Sequence, residues 1–251
     1  MTLVKTPWLA CPRPNSQARL RLFCFPYAGA GASVFYPWSS QLPEDIELWA
    51  VQPPGREKRL REPLLTSLSS LIETLVPILK PYLDCPFALF GHSIGALVIF
   101  ALARELRRRN YPVPKHLFVS GRRAPQTPAL HPPIHQLPDA AFLAELDRYN
   151  GTPEAVLQNR DLMELFLPIL RADLAIAETY SYVPEAPLDF PISAFGGLED
   201  ESVSPDRLAA WEKQSDRAFS LQMFPGGHFF FKSNPEALLK AISQQLEASG
   251  L

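Results

Sequence analysis

Six short apolar runs rich in β-forming residues punctuate the chain, at residues 20–25, 46–51, 87–90, 117–120, 192–195 and 219–224. Runs of this length and composition predict buried strands. Between them the period changes. Residues 94–109 put Leu97, Val98, Ala101, Leu102 and Leu106 on one face, with Arg104 and Arg107 to Arg109 on the other, the stripe of an amphipathic helix. Ser70 and Glu73 have capping-box spacing inside an apolar stretch that ends near Leu83, and Pro77 is set to kink it. Residues 205–215 and 235–249 each open on a proline behind a capping residue, Ser204 and Asn234. Strands alternating with helices predict a mostly parallel sheet covered on both faces.

Glycine placement orients that sheet. Nine of the twelve glycines follow five of the strands: Gly29, Gly31, Gly91, Gly95, Gly121, Gly196, Gly197, Gly226 and Gly227. Ligands of open α/β sheets bind outside the carboxyl ends of the strands, so the glycines mark that edge as the working one. The stretch from 121 to 191 breaks the alternation. It opens on Pro125, Pro128, Pro132, Pro133 and Pro138, then turns helical over 161–182, with Pro168 a kink or break. Met163, Leu167 and Ile176 widen its apolar stripe beyond the needs of a surface helix. Two readings stand: a lid with an apolar underside, or an ordinary helical subdomain packed on the sheet. A wide apolar underside predicts a broad channel that accepts varied apolar groups without reading them in detail.

Composition narrows the class. At 251 residues, 47% hydrophobic and 20% charged, the chain has the make-up of one globular domain, not of a disordered segment. Its 26 acidic and 24 basic side chains leave a net charge of −2, with no global pull toward nucleic acid or anionic membrane. No apolar stretch is long enough to span a bilayer, and the first residues lack a signal-peptide core. Cys11, Cys24 and Cys85 are odd in number and far apart, which fits reduced thiols and no metal site. A cytoplasmic protein is expected.

The run at 87–90 leads into Gly91-His92-Ser93-Ile94-Gly95, a G-x-S-x-G pentapeptide, and an amphipathic helix leads out. Strand, sharp turn and helix are the context a nucleophile elbow requires. A serine hydroxyl needs a histidine to take its proton and an acid to orient that histidine. Of five histidines, His92 is the variable elbow position and is expected to point away from the reaction. His116 precedes a strand, while His131 and His135 lie in the proline-rich entry and are expected to be exposed. His228 follows the last strand and two glycines, on the edge that carries Ser93. Glu199, Asp200 and Glu201 all compete for the acid after the penultimate strand. The backbone N–H of Ile94 is one expected oxyanion donor, and the loop over 25–31 supplies the second. No G-x-G-x-x-G or Walker lysine accompanies that loop, so it is not read as a nucleotide site.

FPYAGAGAS at 25–33, PPGREKRLREP at 53–63, FGHSIGA at 90–96, VSGRRAP at 119–125, FGGLEDESV at 195–203 and FPGGHFFF at 224–231 together resemble the type II thioesterases, external editing hydrolases of nonribosomal peptide and polyketide synthases. The resemblance spans nearly the whole chain. It implies an α/β-hydrolase fold over 1–251 with a helical lid at about 122–187, and hydrolysis of acyl thioesters from the phosphopantetheine arm of carrier proteins. It selects Asp200 as the acid, beside Ser93 and His228, and places the second oxyanion donor on Ala28. Ile94 stands where the family often has methionine, and Glu201 where it often has proline. The expected partner is an acyl or peptidyl carrier domain, the expected state a monomer, and no resident cofactor or metal is expected. Carrier domains are generally acidic, so the basic segment holding Arg56, Lys58, Arg59 and Arg61 is a docking candidate, with Lys58 and Arg59 foremost. Arg122 and Arg123 open a second basic group. The competing reading pairs these arginines with Glu57 or Glu62 as loop props. A general carboxylesterase or acyltransferase, and a non-catalytic interaction protein on the same scaffold, are the alternatives.

Overall fold

The computed structural model describes residues 5–147 and 160–248. Seven strands form one sheet in the order β1-β3-β2-β4-β5-β6-β7. They are β1 (Leu9–Ala10), β2 (Leu20–Phe25), β3 (Ile46–Val51), β4 (Phe87–His92), β5 (Leu117–Ser120), β6 (Ile192–Gly197) and β7 (Phe219–Phe224). Every pairing is parallel except that of β1 with β3. All six expected strands are present, and β1 is an addition at the edge. Strand order reverses at β2, which has β3 on one side and β4 on the other. Their carboxyl ends flank the crevice where such sheets hold ligands.

Helices α1 (Leu68–Leu79) and α2 (Ile94–Arg108) bury Leu75, Leu97 and Phe100 against one face of the sheet. On the other face Trp38, Phe90 and Phe231 pack with Leu238 and Ile242 of the C-terminal helix Pro235–Ala248. The helix α1 starts earlier than the capping-box reading places it: Ser67 is the cap, its hydroxyl accepting from the Ser70 amide at 3.2 Å. Between β5 and β6 the described residues form α3 (Asp139–Asp147) and α4 (Arg160–Glu178). Ile134, Phe142, Leu146 and Leu170 make a small core of their own there. Pro168 neither ends nor splits α4. The part of the insertion at 148–159 lies outside the described residues. No helix among the described residues is long and apolar enough to cross a membrane.

His116, just ahead of β5, is 1% exposed, stacks on Phe118 at 4.2 Å and bonds through Nε2 to Ser193 Oγ at 2.8 Å. Burial pushes its imidazole down to about 4. An unfolded histidine titrates near 6.5, so below that pH the unfolded chain takes up a proton that the folded chain refuses. The stabilisation is therefore whole above pH ~6.5 and is lost as pH falls from there through about 4, by about 3 kcal/mol in all. Denaturant unfolding at pH 7 and pH 5 should show it. His116→Asn should flatten the dependence by about 1.4 kcal/mol per pH unit. An unchanged slope in the variant would remove His116 as the source.

Candidate active site

Ser93 sits between β4 and α2 with φ +54° and ψ −115°, a strained conformation for a residue with a side chain. The structure holds it there: its amide donates to the Ser120 carbonyl at 2.7 Å, and glycines flank the turn. A Cβ on Gly91 would lie 2.3 Å from the Gly95 carbonyl group, and one on Gly95 would lie 2.3 Å from the Phe25 carbonyl oxygen. Only glycine lets the first turn of α2 approach the loop leaving β2 so closely. That loop closes with Ala30 N–H donating to Tyr27 O at 3.1 Å, and Gly29 at φ +79° makes it a type II turn. Ala28 is its first corner. The Ala28 and Ile94 amides thus belong to two abutting segments, the β2 loop and the start of the elbow helix.

His228 and Asp200 come from neighbouring loops after β7 and β6. The two loops are laced by Leu198 N–H to Phe224 O at 2.8 Å and Glu199 N–H to Gly226 O at 2.9 Å. Asp200 Oδ2 lies 2.8 Å from His228 Nδ1, and both residues are buried. An ionised Asp200 can only accept here, so Nδ1 carries the proton and Nε2 keeps its lone pair for base chemistry. Asp200 Oδ1 accepts from the Ser202 amide at 2.9 Å and the Ser202 hydroxyl at 2.5 Å. Burial would raise the Asp200 carboxyl, but His228 and these Ser202 bonds outweigh it and hold the carboxyl below its ordinary range. Glu199 and Glu201 are exposed. Of the three competing carboxylates, Asp200 is the one bonded to the imidazole.

His92 departs from expectation. Its ring does not turn away from this cluster: it lies 4.9 Å from the His228 ring and 4.6 Å from Phe231, fully buried, with Nδ1 2.9 Å from Ser120 Oγ. Burial, helped by His228 and Lys232, pushes it well below the ordinary histidine range. A neutral ring therefore packs against His228, and nothing in the pentapeptide signals it. His131 is exposed as expected, but His135 is half-buried with Nδ1 2.6 Å from Glu178 Oε2.

The basic segment divides. Lys58 is exposed. Arg59 is not a docking residue of the expected kind: its side chain is buried, forks onto Glu62 at 2.9 and 2.6 Å, donates to Gln52 O at 2.7 Å and stacks over Trp8. The loop-prop reading describes it, and Arg56 is buried as well. Arg122 and Arg123 are half-buried and donate to carbonyls, Ala177 O at 3.5 Å and Thr127 O at 3.0 Å.

Behind the β2 loop and the start of α2 lies a cavity of about 40 Å³ lined by Tyr27, Pro53, Leu75, Ile94, Val98 and Ile176. That is room for about three water-sized atoms. Ser202 is absent from the sequence reading, and its signal is the D-x-S spacing from Asp200. Asp173, which also lines the cavity, gave no signal on a helix read for its apolar stripe.

The sequence matches the thioesterase domain family over residues 20–246. It is 46% identical over 239 residues to the gramicidin S biosynthesis protein GrsT of Aneurinibacillus migulanus, covering 95% of this chain and 93% of that protein. Thioesterase PikA5 of Streptomyces venezuelae is 41% identical over 238 residues, 94% of this chain and 83% of that one. Among solved structures, the type II thioesterase BorB from the borrelidin biosynthetic cluster superposes with a TM-score of 0.86 at 36% identity, covering 95% of this chain and 97% of its own.

Proposed function

We propose, because this chain belongs to the thioesterase family and has the α/β-hydrolase fold, that it removes acyl groups from the phosphopantetheine arm of synthase carrier domains by serine chemistry. The 2.8 Å bond between Asp200 and the His228 imidazole, at the sheet edge that carries the strained Ser93, is the observation that carries this reading. Ser93 attacks the thioester carbonyl while His228 accepts its proton. The amides of Ala28 and Ile94 receive the oxyanion. His228 then protonates the leaving thiol, leaving an acyl-enzyme, and activates the water that releases the acid. Asp200 holds the tautomer and stabilises the imidazolium. Serine chemistry needs no resident cofactor or metal. The chain works as a cytoplasmic monomer and as one hydrolase domain, in which the described helix α4 of the insertion lies over the working edge, with the Gly29 amide donating to Asp173 at 2.8 Å. The apolar lining of the cavity beside Ile94, with Leu75, Val98 and Ile176, supports tolerance of short-to-medium acyl groups.

The test compares one acyl group on three carriers: a phosphopantetheinylated carrier domain, N-acetylcysteamine and an oxygen ester. Thioester kcat/KM should exceed that of the oxygen ester by at least about a hundredfold. Parity would favour the general carboxylesterase. Lys58, exposed in its segment as Arg61 is, is proposed to steer the acidic carrier. Lys58→Glu should then lower kcat/KM several-fold for the carrier substrate alone, and added salt should mimic it. If both thioesters respond alike, Lys58 does not dock the carrier.

A further inference from the structure

A buried ion pair stands beside the oxyanion loop. Arg56 Nη1 and Nη2 meet Asp173 Oδ2 and Oδ1 at 2.6 and 3.0 Å, both side chains buried. Arg56 is itself fixed by Pro54 O at 3.1 Å and Ala30 O at 3.4 Å. Asp173 Oδ2 has a second donor, the Gly29 amide at 2.8 Å. Gly29 is the third residue of the turn whose first corner is Ala28. One helical turn earlier on α4, Leu170 closes on the same glycine: a Cβ there would meet Leu170 Cδ2 at 2.8 Å. Two side chains from one face of α4 thus bear on one peptide, by a charge-assisted hydrogen bond and by close packing.

We propose that Asp173, clamped by Arg56, is a positioning residue for the oxyanion loop, so that helix α4 of the insertion is a working part of the oxyanion hole. Arg56 aims the carboxylate, the carboxylate fixes the central peptide of the turn, and the turn holds the Ala28 amide at the mouth of the crevice. An oxyanion donor acts through preorganisation, and displacement by an ångström can cost about a hundredfold in rate. The inference rests on the proposed role of Ala28. The alternative is an ion pair that merely ties α4 to the body of the domain.

Two double variants separate these. Arg56→Met with Asp173→Leu and Arg56→Met with Asp173→Asn both remove the ion pair without stranding a charge, a replacement that folded proteins often tolerate. They differ in one respect: asparagine still offers Gly29 an acceptor. With an N-acetylcysteamine thioester, and thermal melts to establish folding, the leucine variant should lose about 30- to 100-fold in kcat with KM within about threefold. The asparagine variant should recover at least about tenfold of that loss. Equal kcat values in the two folded variants would overturn the proposal and leave a plain structural tie. Should the leucine variant fail to fold, Arg56→Met with Asp173→Ala takes its place: it too leaves Gly29 without an acceptor, so its kcat should lie at least about tenfold below that of the asparagine variant, and equal values would overturn the proposal. The underlying thioesterase reading fails separately, by absence of Ser93-dependent turnover in the wild-type protein.

Discussion

Ser93→Ala should abolish thioester turnover, lowering kcat by about 10⁵- to 10⁶-fold while leaving the melting temperature within a few degrees of wild type. The size of the loss follows from the chemistry: without Oγ there is no acyl-enzyme, and only oxyanion stabilisation and binding remain to act on water. Folding should be indifferent because the backbone at 93 is held by other groups. Its amide is bonded to Ser120 O, and the close contacts of Gly91 and Gly95 are made by backbone atoms. Alanine keeps the strained φ of +54° and deletes one oxygen. Stopped assays on an acyl thioester, with mass spectrometry for acylation of the intact protein, measure both consequences. A serine-directed phosphonate should label the wild-type protein at Ser93 and leave the variant unmodified. Turnover that survives in a folded Ser93→Ala protein, or labelling at another serine, would remove the elbow from the mechanism.

What the sequence showed plainly was whatever depends on neighbours along the chain. Buried parallel strands are nearly continuous apolar runs, so β2, β3 and β5 have the bounds the pattern gives them, as does the half-buried edge strand β7, which alternates apolar and polar residues. By contrast β4 and β6 run two residues further, through Gly91-His92 and Gly196-Gly197, because backbone pairing continues where side-chain hydrophobicity stops. The two residues of β1 are too few for any period to show, and the 3₁₀ segment Ala32–Ser40, interrupted by Pro37, has none. Pro168 looked like a break. Yet the helix α4 passes through it, since Ile169, Leu170 and Ile176 are buried and tertiary packing outweighs one missing N–H. The serine, the histidine and a choice of three acids were visible because each follows a strand. Contacts across long separations were not. Arg56 and Asp173 are 117 residues apart, and nothing near either in the sequence points to the other. His92 read as a spacer because its neighbours Phe231 and His228 arrive from the last loop.

The choice among the three acids carries the other large effect. Asp200→Asn should lower kcat by about 10⁴-fold, while Glu199→Gln and Glu201→Gln should stay within about threefold of wild type. Asparagine fits the same space, but the amide can present its NH₂ to Nδ1 and stabilise the tautomer with the proton on Nε2, where it cannot receive one from Ser93. It also withdraws the negative charge that faces the imidazolium. The surroundings make aspartate hard to replace. Ser202 supplies two donors to Oδ1, and Oδ2 is 2.8 Å from the ring. Both oxygens of the carboxylate are thereby committed, with the carboxyl held below its ordinary range. Ser202→Ala removes one of those donors and should cost an intermediate amount, roughly three- to thirtyfold, because Asp200 keeps the amide bond and its hold on His228. The exposed Glu199 and Glu201 have no such commitments to the ring. Initial-rate measurements on the four variants, with one thioester at saturating concentration, give the ranking. A severe loss in Glu199→Gln beside near-normal activity in Asp200→Asn would reverse the assignment of the acid and, with it, the role given to Ser202.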